Sequence, residues 1–486
     1  VQSQAQIPIL ETLQALVNQP DTAFYAPGHK RGQGISQPLA DLLGKSVFRA
    51  DLPELPELDN LFAPEGVIEK AQSLAAEAFG SEKTWFLVNG STCGVMAAIL
   101  ATCGPGDKII LPRNIHQSAI AGLILSGAIP IFINPEYNSE IDLAYSITPE
   151  ALEITFKQHP DAKAVMIVYP TYHGVCGDIE AIVKVTHRYN IPLLVDEAHG
   201  AHFTFHPALP PSALSAGADL SVQSIHKVLG AMTQASMLHL QGKRIDFQRI
   251  SNALQLLQST SPNYLLLASL DAARQQMALQ GNQLLSKTLQ LAEVARSQIS
   301  QVSDLSVLEL EKPTPSFTRL DSTRLTVNVS QLGLSGFEAD EILHEQLGVT
   351  AELPMLHHLT FIITIGNTTS DIDKLVQAFM TLASQTTRRR KISPIWEFKI
   401  QNSEFRILTS PRDAFFAPTE TLALALTVGC LSAELVCPYP PGIPVLMPGE
   451  VITSPVLDYL QQVLALGARI TGCSDSTLKT LKVIRA

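Results

Sequence analysis

The residues best suited to covalent chemistry lie in Ser221-Val-Gln-Ser-Ile-His-Lys-Val-Leu-Gly230, at the end of an apolar, strand-like run. Lys227 carries an amine that condenses with an aldehyde to an imine, and Ser224, three residues earlier, carries a hydroxyl suited to a phosphate oxygen. Many surface turns also contain a lysine, so this turn needs company. Asp196, 31 residues before Lys227, closes the buried-strand pattern Ile191-Pro-Leu-Leu-Val195 at the strand end where open α/β sheets place their sites. A buried carboxylate there can hold a protonated ring nitrogen. It can equally cap a helix. A third piece, Asn89-Gly-Ser-Thr-Cys-Gly94, falls between a strand-like run and a helical one. Backbone N–H groups, small residues and hydroxyls at such a junction make a phosphate cradle.

An amine, a carboxylate and a phosphate cradle are the parts that pyridoxal 5'-phosphate (PLP) requires, because its ring works as an electron sink only while the pyridine nitrogen stays protonated. The cradle lacks both the G-x-x-x-x-G-K-[ST] loop of nucleotide triphosphate binders and the G-x-G-x-x-G of dinucleotide sites. Asp196-Glu-Ala-His199 spells the name of a helicase motif, but no P-loop precedes it.

The elements that must position these parts alternate along residues 60–240. Helical spacing covers Pro64 to Phe79 and Ser91 to Thr102. Strand-like runs cover Thr84–Val88, Lys108–Leu111, Ile129–Ile133, Ala164–Tyr169, Ile191–Val195 and Leu220–Ser224. Short strands separated by helices predict an α/β fold with a mostly parallel sheet covered on both faces. Residues 248–300 read as helical, broken at Ser259-Thr-Ser-Pro262, and a smaller α/β region follows with strands near Ser306–Leu310, Thr323–Val329 and Leu359–Ile365. Ser384 to Pro394, with the basic run Arg388-Arg-Arg-Lys391, is the best linker candidate. The expected organisation is an N-terminal arm (1–60), a PLP-binding large domain (61–305), a small α/β domain (306–385) and a C-terminal domain (395–486).

A formal net charge of −11 disfavours nucleic acid or an anionic membrane as partner and suits cationic small molecules, although solubility alone explains it as well. Six scattered cysteines without a C-x-x-C pair read as reduced thiols, with neither a disulfide scaffold nor a metal site indicated. His202 and His206 lack a carboxylate or Cys at metal-ligand spacing and read as structural. No signal peptide or membrane span is visible, so the expected location is cytoplasmic.

The order cradle, Asp, Lys makes the chain recognisable. It resembles the Orn/Lys/Arg decarboxylase family of aspartate-aminotransferase-like (fold type I) PLP enzymes, from Phe24-Tyr-Ala-Pro-Gly-His-Lys-Arg-Gly32 to Pro438-Tyr-Pro-Pro-Gly-Ile-Pro-Val-Leu-Met-Pro-Gly-Glu450. Between them lie Arg113-Asn-Ile-His-Gln-Ser118, Pro170-Thr-Tyr-His-Gly174, Asp196-Glu-Ala-His199 and Ser259-Thr-Ser-Pro-Asn-Tyr264. The resemblance implies a Schiff base on Lys227, Asp196 on the pyridine nitrogen and His116 stacked on the ring. It also implies Ser91, Thr92, Cys93 (through its backbone) and Ser224 on the phosphate, and His226 against the cofactor. His199 stands where longer members carry Trp, which leaves its role open. Glu450 would face the distal cation of the substrate, or else begin the next helix. The implied reaction converts arginine, lysine or ornithine into the polyamine-pathway amine and CO2. The implied assembly is a homodimer or a dimer of dimers with composite sites, since the match starts too early to leave room for the wing domain of long members. An aminotransferase or C–S lyase of the same fold would lack the Pro-Tyr-Pro-Pro-Gly-Ile-Pro segment. A non-catalytic regulatory homologue is disfavoured by the intact Lys227 and Asp196.

Overall fold

Apolar runs bounded by glycines and prolines become strands here, and the alanine-rich stretches between them become helices. The structure, a computed structural model, describes residues 3–19, 21–386, 407–439 and 441–485. It contains two compact units, each assembled from two stretches of chain: 1–101 with 196–285, and 102–195 with 286–486. This division by contact runs across the consecutive segments expected above.

In the first unit the strands Lys83–Leu87, Ser236–Leu240 and Leu220–Gln223 pair antiparallel in that order. The Ser236–Leu240 strand was not anticipated, because its Ser-Met-Leu-His-Leu run is neither alternating nor bounded by a clear turn signal. Every residue in it is buried, and its His239 is held by Thr84 Oγ1 at 2.8 Å and Gln223 Oε1 at 3.2 Å. The helix expected from Pro64 runs over Val67–Phe79. Its start is set by Asp59, whose carboxylate accepts the N–H groups of Gly66 and Ile68 at 2.7 and 3.1 Å, a cap supplied from outside the helix itself.

The Gly90–Thr102 helix packs against two strands at Gly94. A Cβ there would come within 2.7 Å of both Leu87 Cδ1 and Val222 Cγ1, so the close approach requires glycine. The helical stretch 248–300 breaks as expected: Phe247–Leu257 ends before the Ser259–Pro262 turn, and Tyr264–Ile299 follows it.

In the second unit Lys108–Pro112 pairs in parallel with Ile129–Ile133 on one side and with Ala164–Val168 on the other, and the strand ending at Asp196 lies next to Ala164–Val168. A four-stranded antiparallel sheet built around Arg324–Asn328 and His358–Ile362 packs its apolar face on the helices Gly336–Leu347 and Thr369–Gln385, forming one core. A second apolar core, drawn from residues 424–483, gathers around the helix Ser454–Ala465. Ser384 still belongs to the Thr369–Gln385 helix, and the basic run Arg388–Lys391 lies outside the described residues. No helix among the described residues is long and apolar enough to cross a membrane.

Candidate active site

Lys227 sits in the short helix Ile225–Val228 that follows the Leu220–Gln223 strand, and its side chain is half-buried. Its Nζ lies 3.0 Å from Nε2 of His199. That pairing gives His199 a position in the site, which the sequence left open. Burial, reinforced by the charge of neighbouring Lys227, pushes the His226 imidazole below its ordinary range, so that ring stays neutral beside the amine.

Asp196 ends the strand Leu193–Asp196 and is 6% exposed. No α-helix begins after it. The chain continues as a turn in which Asp196 Oδ1 accepts the Ala198 N–H at 3.2 Å, so the helix-cap alternative falls away. The turn is fixed by Glu197, which the sequence reading passed over. Its buried carboxylate accepts from Ser221 Oγ (2.5 Å), Gln223 Nε2 (2.9 Å) and the Ala213 N–H (2.7 Å), tying the Asp196 turn to the strand that leads to Lys227. Burial outweighs those bonds and pushes the Glu197 carboxyl up to about 7.

The cradle is the first turn of Gly90–Thr102, which carries no acidic side chain. Gly90 adopts φ +74°, the conformation that lets the chain turn from strand into helix. Ser224 Oγ donates to Ser91 Oγ at 2.8 Å, so two hydroxyls from separate elements meet beside the helix N-terminus. The Cys93 thiol donates to Gly90 O at 3.0 Å, and burial pushes its pKa up to about 12, which leaves the backbone N–H as its route to an anion. Thr92 is exposed at the same turn. The Gln258–Ser259 segment braces the turn: Gln258 Oε1 accepts the Val88 N–H at 2.8 Å, and Asn89 Oδ1 accepts the Ser259 N–H at 3.3 Å. An amine, a buried strand-end carboxylate and paired hydroxyls at a helix N-terminus fit a phosphorylated aldehyde.

The other two expected residues belong to the second unit. His116 caps the helix Gln117–Ser126, its Nδ1 accepting the Ser118 N–H at 3.2 Å. Gly442 lies on that turn: the Gln117 N–H donates to Gly442 O at 3.1 Å, and Gly442 has φ +87°. Glu450 has a buried partner. It is 1% exposed and faces Arg113, whose Nη2 lies 3.3 and 3.2 Å from the two carboxylate oxygens, while the Met447 N–H donates to it at 2.8 Å. Arg113 in turn donates to the carbonyls of Pro444 and Val445 at 2.6 and 3.0 Å. The carboxylate staples its own segment, and the helix-start alternative falls away because the next helix begins at Ser454. Arg113 was visible in the sequence only as part of a motif.

Models of the Orn/Lys/Arg decarboxylase major domain and C-terminal domain match residues 7–323 and 401–477. The arginine decarboxylase of Bacillus subtilis (strain 168) is 39% identical over 99% of this chain and 99% of its own, and that of Bacillus anthracis is 37% identical over 99% and 98%. The chain belongs to the Orn/Lys/Arg decarboxylase family. Among solved structures the constitutive lysine decarboxylase of E. coli aligns with a TM-score of 0.84 at 20% identity, covering 99% of this chain and 82% of that one. A lysine decarboxylase of Francisella novicida aligns equally well at 21% identity, covering 81% of its chain. These likenesses establish the family's fold type I architecture for this member.

Proposed function

We propose that the protein removes CO2 from a basic amino acid, arginine before lysine or ornithine, using PLP held on Lys227. The observation that carries this reading is the Lys227 amine 3.0 Å from His199 in a unit that also supplies Asp196 and the Ser91–Ser224 hydroxyl pair. Arginine is put first because the relatives at 37–39% identity over nearly the whole chain bear that name.

The roles follow from the donors and acceptors present. Lys227 supplies the nucleophilic amine, and His199 takes up or returns its proton at Nε2. Asp196 holds a protonated ring nitrogen by charge. Ser91 and Ser224 hydroxyls, with the N–H groups of Thr92 and Cys93, bind phosphate oxygens at the positive end of the helix. Neutral His226 would add contact without competing for the anion. When bound, PLP supplies the electron sink that accepts the bonding pair left by departing CO2. A homodimer or dimer of dimers in the cytoplasm belongs to the same proposal. The acidic charge suits the family's cationic substrates. Labelled CO2 release from arginine, lysine and ornithine tests the reading: arginine should show a kcat/KM at least tenfold above the others. Absence of release from all three would overturn it.

A further inference from the structure

His199 rides on a turn whose first residue is Glu197. The Glu197 N–H donates to Val222 O, and the Gly200 N–H closes the turn on Glu197 O, each at 2.9 Å. With the bonds from Ser221, Gln223 and Ala213, main chain and carboxylate together pin this turn to the strand Leu220–Gln223 and its surroundings. The carboxylate is fully buried, and those three donors are all neutral. An ionised carboxylate in such a place costs more than an amide or an apolar side chain of its size. A group kept at that cost, in the turn that carries His199 to the Lys227 amine, is a candidate for a role in the chemistry.

The hydrogen bonds behind Glu197 point toward it. A carboxylate only accepts, so Gln223 turns its NH2 to Glu197 at 2.9 Å and its Oε1 to His239 Nε2 at 3.2 Å. Burial holds the His239 imidazole down at about 3, so the ring is neutral. With its proton on Nε2, its Nδ1 accepts from Thr84 Oγ1 at 2.8 Å, and Thr84 accepts from Ser81 Oγ, also at 2.8 Å. These donors run head to tail across three neighbouring strands and end on the carboxylate, and bonds so aligned strengthen one another in a dry interior. An amide offers an oxygen at only one of the two carboxylate positions. Glu197→Gln therefore sets an N–H against the Ala213 N–H or against the Gln223 NH2.

We propose that Glu197 is a positioning residue: through the turn it anchors, it holds Nε2 of His199 at the distance where a proton passes to and from Lys227. The proposal rests on the reading of Lys227 and His199 given above. Its test compares PLP-loaded wild type, Glu197→Gln, and the exchange Glu197→Gln/Gln223→Glu, which swaps amide and carboxylate across one bond and keeps an oxygen facing His239. Glu197→Gln should lower kcat per bound PLP at least tenfold with KM within twofold. It should also shift the pH midpoint of the cofactor absorbance, because the chromophore is the imine on the amine that His199 contacts. The exchange should bring both back toward wild type. A merely structural network would lower the unfolding midpoint and leave kcat per bound PLP and the absorbance midpoint of the folded protein unchanged; that result, or a loss that the exchange does not recover, would overturn the proposal. Should Glu197→Gln fail to fold, Ser221→Ala decides, since it removes one donor and almost no bulk: the same two changes in smaller size are expected, and wild-type values for both would overturn it. Wild-type protein that binds PLP and releases no CO2 would sink the catalytic reading alone, because the absorbance comparison needs no turnover.

Discussion

Lys227 Nζ and His199 Nε2 stand 3.0 Å apart, close enough for a proton to pass between them without a bridging water. The carboxylate of Asp196 sits at the strand end where its charge is shielded from solvent, and shielding is what makes one carboxylate worth much to a neighbouring cation. Asp196→Asn should therefore retain PLP and lose activity by at least 100-fold, in line with the ~3–4 kcal/mol typical of such electrostatic contacts. A kcat within threefold of wild type would reduce Asp196 to a turn residue. Arg113 and Glu450 carry a different expectation, because their pairing lies wholly inside the protein. Arg113→Met strands a buried carboxylate, and breaking such pairs typically costs ~3–5 kcal/mol. Denaturant midpoints should show that loss, with partial recovery in Arg113→Met/Glu450→Gln. Unchanged midpoints would mean the pair contributes nothing to holding the Pro438–Glu450 segment.

At the scale of elements, the site depends on how closely the Gly90–Thr102 helix approaches its sheet. Gly94→Ala would drive a methyl into Leu87 and Val222, both at 2.7 Å, and the helix must retreat. Overpacking of this kind typically costs ~1–3 kcal/mol. The retreat moves Ser91 away from Ser224, so PLP affinity should fall about tenfold while kcat at saturating PLP changes little; a PLP Kd within twofold of wild type would contradict the account. The cradle, the Asp196 strand and the Lys227 turn were legible because each is a short local pattern at a strand end. The Ser236–Leu240 strand was not, since Ser236 and His239 interrupt the apolar run that marks the other buried strands. The Glu450–Arg113 pair was not legible either: the Glu450 motif is local, but Arg113 is 337 residues away in sequence, and only folding brings the charges together. His199 was named and left without a role, because a single histidine after Asp-Glu-Ala has no partner until the strand of Lys227 is laid beside it.

For the whole molecule, the account joins an acidic chain to a cationic substrate class and a family whose model matches run from residue 7 to residue 477 with one gap between 323 and 401. Its central claim is that one lysine of this chain carries the cofactor. The direct measurement is borohydride reduction of the PLP-loaded protein, proteolysis, and mass-spectrometric location of the pyridoxyl group. The account predicts one equivalent per chain on the peptide containing Lys227, and none at that level in Lys227→Ala, which should also release no CO2 above background. A stoichiometric adduct on another lysine, or full labelling of the Lys227→Ala variant, would contradict it.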